Sequence, residues 1–111
     1  MRVEDVIEGL NRHIEYIRKV NNIDFKSHLV LKKVVNTNPT FKAYKEYIYT
    51  VWNVSKEGKH EVCNCILFER VIAGQEEAFN RKMAIGLCES LFAWRGTEDF
   101  NKVVKGEYYG D

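Results

Sequence analysis

"FKAYKEYIYTVWNVSKEGKHEVCNCILFER", residues 41–70, is the stretch that decides the fold. Its first half, Phe41 to Val54, is dense in aromatic and β-branched residues and reads as a long strand. Tyr44, Ile48, Trp52 and Val54 fall on one face, and Phe41, Tyr47, Tyr49 and Val51 on the other. "SKEGKH" supplies a turn around Gly58, and His60 to Arg70 returns as another strand, which makes an antiparallel hairpin. A strand apolar on both faces belongs in the middle of a sheet, covered twice.

Toward the N-terminus, Phe25 to Val35 alternates. Phe25, Leu29, Leu31 and Val35 share one face, while Lys26, His28 and Lys32 share the other, interrupted by Val30 and Val34. "NTNPT", with the only proline in the chain, Pro39, separates this strand from the hairpin. Before it, Val3, Ile7, Leu10, Ile14 and Ile17 recur at spacings of four and three, predicting a helix over residues 4–20 with Val6 and His13 beside the stripe. Asn21-Asn22 ends it, because asparagine tolerates the left-handed conformation.

Toward the C-terminus, "AFNRKMAIGLCESLFAWRG", residues 78–96, lies in a helix spanning roughly 75–94. Phe79, Met83, Ala84, Ile85, Leu87, Cys88, Leu91, Phe92 and Trp94 occupy an arc of roughly 240° at 100° per residue, far wider than one sheet face requires. Gly96 is expected to close this helix in the left-handed conformation. Thr97 caps a short third helix with Glu98 and Asp99 in its first turn and Phe100, Val103 and Val104 as its apolar contacts, and residues from about 105 to 111 form a tail. No repeat, linker or low-complexity tract interrupts the 111 residues. The expectation is one α+β domain: a three-stranded antiparallel sheet with helices packed on one face, in the order α-β-β-β-α-α. Phe25, Leu29, Leu31, Ile48, Leu67, Leu87 and Leu91 are the expected core.

Such a chain leaves apolar surface over. Tyr47, Tyr49 or Trp52, together with Val30 or Val34, would be exposed on the uncovered face, and Phe79 and Met83 add to the excess on the second helix. Surfaces of this kind mark interfaces, so a homo-oligomer is expected. Asn80, Arg81 and Arg95 project from within the apolar arc of the second helix. A buried guanidinium must meet a carboxylate, water or an anion. Two readings follow: a salt bridge to Glu69, Glu77 or Glu98, or an anion pocket at a subunit seam, with Trp94 or Phe92 stacking on a base.

The bulk properties exclude several classes. Net charge is +1, from 17 basic and 16 acidic residues, too balanced for a nucleic-acid footprint. Hydrophobic content of 45% with 30% charged residues is that of a globular domain. No signal peptide or transmembrane segment is visible, and the three cysteines, Cys63, Cys65 and Cys88, are an odd count, which together point to the cytoplasm. In a regular strand Cys63 and Cys65 share a face that His60 does not, so these thiols are expected in the core, without metal. No carboxylate pair in catalytic spacing, glycine-rich phosphate loop or nucleophile elbow appears, and nothing implies a cofactor. The α-β-β-β-α order resembles that of the double-stranded RNA-binding domain, whose last helix opens with a phosphate-gripping lysine cluster. Here the start is "GQEEAFNRK", where Glu76-Glu77 repels phosphate, so the resemblance is one of topology alone. The expected function is binding, as an inhibitor or adaptor on a macromolecular partner such as a small phage-type accessory protein supplies. The alternative is an oligomer that sequesters a small anion, such as a nucleotide, at a subunit interface.

Overall fold

The computed structural model describes the backbone of residues 2–35, 44–70 and 76–108, and the side chains of 2–35, 47–64 and 84–108. The elements run α1 (Val3–Val20), β1 (Ser27–Val35), β2 (Tyr44–Ser55), β3 (Gly58–Arg70), α2 (Glu76–Arg95) and α3 (Glu98–Lys105). The sheet is antiparallel in the order β1-β2-β3, so the strand apolar on both faces is the central one. Phe41, Asn38 and Pro39 lie outside the described residues.

Register fixes the faces. Leu29 stands opposite Asn53, Leu31 opposite Val51, and Val51 opposite Cys63. Every described residue that the sheet gives to the core comes from this side: Leu29 and Val51 are buried, with Leu31, Tyr49, Val62 and Cys63 packed against them. From the helices come Val3, Val6, Ile7, Leu10 and Ile14 of α1, Leu87, Cys88, Leu91 and Trp94 of α2, and Phe100, Val103 and Val104 of α3. The three helices thus share one sheet face, as a single apolar stripe on each of α1 and α3 requires.

The core differs from the expected set in two places. Ile48 pairs with Val34 on the face that carries no described helix, and is half-buried. Phe25 and Leu31 are half-buried at the margin. The side chain of Leu67 lies outside the described residues. Val35, although in phase with Leu29, runs out beyond the helices and is exposed.

Helix ends repay attention because they place the site residues. Asn22 takes the left-handed conformation (φ 56°) after α1, as its chemistry allows. Gly96 does not: the left-handed glycine in this region is Gly106 (φ 74°). After Arg95 the chain tightens instead, Gly96 N–H bonding to Ala93 O (3.1 Å) and Thr97 N–H to Trp94 O (3.0 Å). The reason is the next element. Thr97 must be extended to cap α3, where its hydroxyl accepts from Phe100 N–H, and only one residue separates it from α2. At the far end of α3, Gly106 N–H reaches Val103 O and Glu107 N–H reaches Lys102 O, closing the helix in a Schellman turn. The segment expected to be a tail therefore begins as structure: Gly106 is buried, and Tyr108 packs back on His60.

Two further devices tie the sheet to the helices. Asn11 of α1 donates its amide to Leu29 O (3.1 Å) and accepts from Leu29 N–H (2.6 Å), standing at the β1 edge where a neighbouring strand's peptide would be. A bulge between Val51 and Trp52 leaves Val62 as an extra residue in β3.

Candidate functional site

Of the residues expected to form an anion site on α2, the structure gathers few. Trp94 is buried, and its indole N–H donates to Asp99 Oδ2 at 2.7 Å, so its ring is a core plane edge-on to Phe100 and not a stacking platform. Arg95 is exposed at the helix end, so its guanidinium bears no burial cost. Among the described residues it makes no salt bridge, the exposed Glu98 included. Phe92 is 49% exposed and Ile85, about two turns earlier, 52%: the apolar arc of α2 is wider than the sheet and its neighbours cover. The side chains of Phe79, Asn80, Arg81 and Met83, and of Glu69 and Glu77, lie outside the described residues.

What Trp94 does join is a half-buried polar cluster. Asp99 accepts from Trp94 Nε1 and from the Tyr108 hydroxyl, and lies 3.3 Å from His60 Nε2, while His60 and Tyr108 stack with centroids 3.8 Å apart. His60 is here because of the bulge. A regular strand would point it away from Cys63, but the extra Val62 returns it to the same face, opposite Asn53. The separation of His60 from the thiols expected from alternation is thereby overturned. Cys63 is half-buried and Cys88 buried, and burial pushes the Cys88 thiol above its ordinary pKa, away from the nucleophilic thiolate. The side chain of Cys65 lies outside the described residues. Among the described residues no group of three or more histidine, cysteine or acidic side chains could hold a metal ion.

Among the described residues the buried arginine is one that helical pattern does not flag. Arg18, in the last turn of α1, is only 5% exposed. Its Nε donates to Val104 O (2.9 Å), its Nη2 to Val103 O (3.1 Å) and Ser27 Oγ (2.6 Å), and its Nη1 to Ser27 O (3.2 Å). It rests 5.2 Å from the Phe25 ring centroid. The guanidinium thus joins α1, β1 and the carbonyl end of α3, where the helix dipole favours a cation. Desolvation lowers its pKa, with Glu15 opposing, but an arginine begins so high that it stays charged. Phe25 in turn lies over Gly106: a Cβ there would come within 2.5 Å of the ring.

Beside this clamp opens a groove of about 870 Å³. The last turns of α1 (Glu15, Arg18, Lys19), the entry to β1 (Ile23, Phe25, Lys26, Ser27, His28) and the end of β2 with its turn (Val54, Ser55, Lys56) line it. Ile23, Phe25 and Val54 are half-buried, while Lys19, Lys26, His28 and Lys56 are exposed. Four cations and one carboxylate face it in a chain whose whole net charge is +1.

The second surface is the sheet's other face. Val30 pairs with Trp52 and Val34 with Ile48, and the pair formed by exposed Lys32 and buried Thr50 lies between them; Val34 is 56% exposed and the other three apolar residues are half-buried. Tyr47 and Tyr49 belong instead to the helix side, where Lys33 Nζ sits 4.1 Å from the Tyr47 ring centroid and 5.6 Å from that of Tyr49. Lys59 lies over Trp52 at 4.7 Å. Tyr47 and Tyr49 thus lie on the face opposite Trp52, as alternation along β2 predicts. No described helix is long and apolar enough to cross a membrane. Comparison with protein-family models, with curated proteins and with solved structures finds no match.

Proposed function

We propose that this chain is a non-catalytic binding protein, acting as an inhibitor or adaptor on a macromolecular partner and self-associating through surfaces its own helices leave open. One observation carries the reading: the described residues that the sheet gives to the core lie on the helix side, while the other face carries two apolar pairs, Val30 with Trp52 and Val34 with Ile48, divided by Lys32 and Thr50. Apolar side chains grouped in pairs on a sheet face that no described helix covers fit an interface of mixed apolar and charged contacts. The exposed pair Ile85 and Phe92 on α2 gives a second, smaller apolar surface on a different element. The radius of gyration, 16.0 Å, exceeds the roughly 13 Å of a compact chain this long, which fits a hairpin reaching past its helices.

Sedimentation and native mass spectrometry of protein freshly purified from cells test this. The expected result is a complex, with a second copy or a different protein, that is lost when Val30 and Trp52 are both replaced by glutamate in a chain that still melts cooperatively. A monomer at micromolar concentration, carrying no protein and unchanged by those substitutions, overturns the proposal.

A further inference from the structure

The groove at the end of α1 is a site separate from the open sheet face, and its make-up selects a ligand class. We infer that it binds a small organic anion, a phosphate or a carboxylate attached to an apolar body. Its floor and its rim have different chemistry. Ile23, Phe25 and Val54 offer half-buried apolar surface, and Lys19, Lys26 and Lys56 stand exposed around it. Arg18 lends charge from beneath, but it is buried and four of its five N–H donors are committed to Val103, Val104 and Ser27, so the exposed lysines are the groups that contact a ligand. Glu15 is the one carboxylate in the lining; Asp24 and Glu57 are its sequence neighbours outside it.

Two features favour a small ligand over a polyanion. The cations come from three separate segments around one floor, where a polyanion needs a stripe along a strand or helix. The volume of about 870 Å³ falls within the range of small-molecule sites, roughly 300–1,000 Å³. An inorganic ion alone would leave the apolar floor wet, and a neutral apolar molecule would leave the cations unanswered.

The site is preorganised. Arg18 holds Ser27 by backbone and hydroxyl, Asn11 holds Leu29 two residues on, and Ser55 Oγ braces the turn by accepting from Glu57 N–H (3.2 Å) and donating to Gly58 O (3.3 Å). The floor is therefore set before a ligand arrives, which lowers the ordering cost of binding.

The probe is 8-anilinonaphthalene-1-sulfonate, a sulfonate on an aromatic body, titrated into the isotope-labelled full chain and followed by amide chemical shifts. Shifts should concentrate in residues 15–28 and 54–56. The Lys26→Ala, Lys56→Ala double variant should weaken binding about tenfold, and the matching pair of lysine-to-arginine changes should retain it. Displacement by adenosine monophosphate assigns a phosphate head group, and displacement by decanoate a carboxylate. The inference is overturned by shifts centred on Val30 and Trp52 or on Ile85 and Phe92, or by equal binding of the double variant. Failure of both competitors, or equally tight binding of the neutral N-phenyl-1-naphthylamine, overturns it as well. Spectra of the variants show directly that the fold is intact, because both lysines are exposed.

Discussion

Replacing Arg18 with alanine removes four hydrogen bonds at once, and the structure says what each loss leaves behind. Val103 O keeps a second donor in Gly106 N–H. Val104 O loses its donor where the 5% exposed Arg18 kept water out, and Ser27 O loses its own at the half-buried wall of the groove. Two carbonyls stripped of partners cost about 1–3 kcal/mol each, and relief from holding a desolvated guanidinium returns part of that, so a net loss of about 2–4 kcal/mol is expected. At roughly 4 °C per kcal/mol for a chain of this size, the melting temperature should fall by about 8–16 °C. Arg18→Lys should be intermediate, since an ammonium keeps the charge at the α3 carbonyl end but not the planar fork. Thermal and urea melts followed by circular dichroism give both numbers. Hydrogen exchange adds direction: amides of α3 should lose more protection than those of the first turns of α1. An Arg18→Ala chain within about 1 kcal/mol of the parent, or one whose α3 exchange is unaltered, would show that the clamp does not hold the helices together.

Three other expectations follow from the same coordinates. Gly106→Ala, at φ 74° and against the Phe25 ring, should cost more than about 1 kcal/mol, whereas Gly96→Ala, at negative φ with only ordinary contacts, should fall within about 0.5 kcal/mol; urea melts compare them. The Cys88 thiol is held protonated in the fold, so above the ordinary thiol pKa the unfolded chain binds fewer protons and stability declines as pH rises, while below it the contribution is complete. The stability difference between the parent and Cys88→Ala should accordingly shift against the parent between pH 8 and pH 10 in urea titrations; no such shift would refute the assignment. Arg95→Ala, at an exposed helix end, should lose only about 0.3–1 kcal/mol, and Arg95→Lys almost nothing, by thermal melts.

Local signals were readable from the residues and long-range ones were not. Element order, the asparagine stop after α1 and the Thr97 cap all depend on chemistry within a few positions, and the structure has each of them. The faces of β2 followed from alternation, but which of two apolar faces the helices would take did not, and that is why Ile48 was assigned to the core and Tyr49 to the surface block. The buried cation was sought in α2 because Arg95 interrupts an apolar arc. Arg18 reads as an ordinary dipole partner for its own helix, whereas two of its acceptors lie 85 and 86 residues away and the other two on Ser27. Trp94 seemed a free stacking surface because nothing in an α-helical wheel shows that Asp99, beyond the helix end, would claim its N–H. Of the groove, Lys19 and Lys26 were legible only as surface charge, since the turn residue Lys56 reaches them through the sheet and not through the sequence.

The extra residue at Val62 gives β3 one residue of slack. In a strand without it, the loss of a single residue would exchange inside for outside along everything on one side of the cut. Here the count is already one over: Glu61 faces Trp52 and Cys63 faces Val51, so those two partners are adjacent on β2 while β3 holds Val62 between them. Shortening the chain by that residue leaves a regular ladder with His60 still turned to Asp99 and Lys59 still beside Trp52, at the cost of the contact Val62 makes with the core. A one-residue deletion in β3 beside the bulge should therefore be absorbed at Val62, with the hairpin tip and the C-terminal helix keeping their hold on one another.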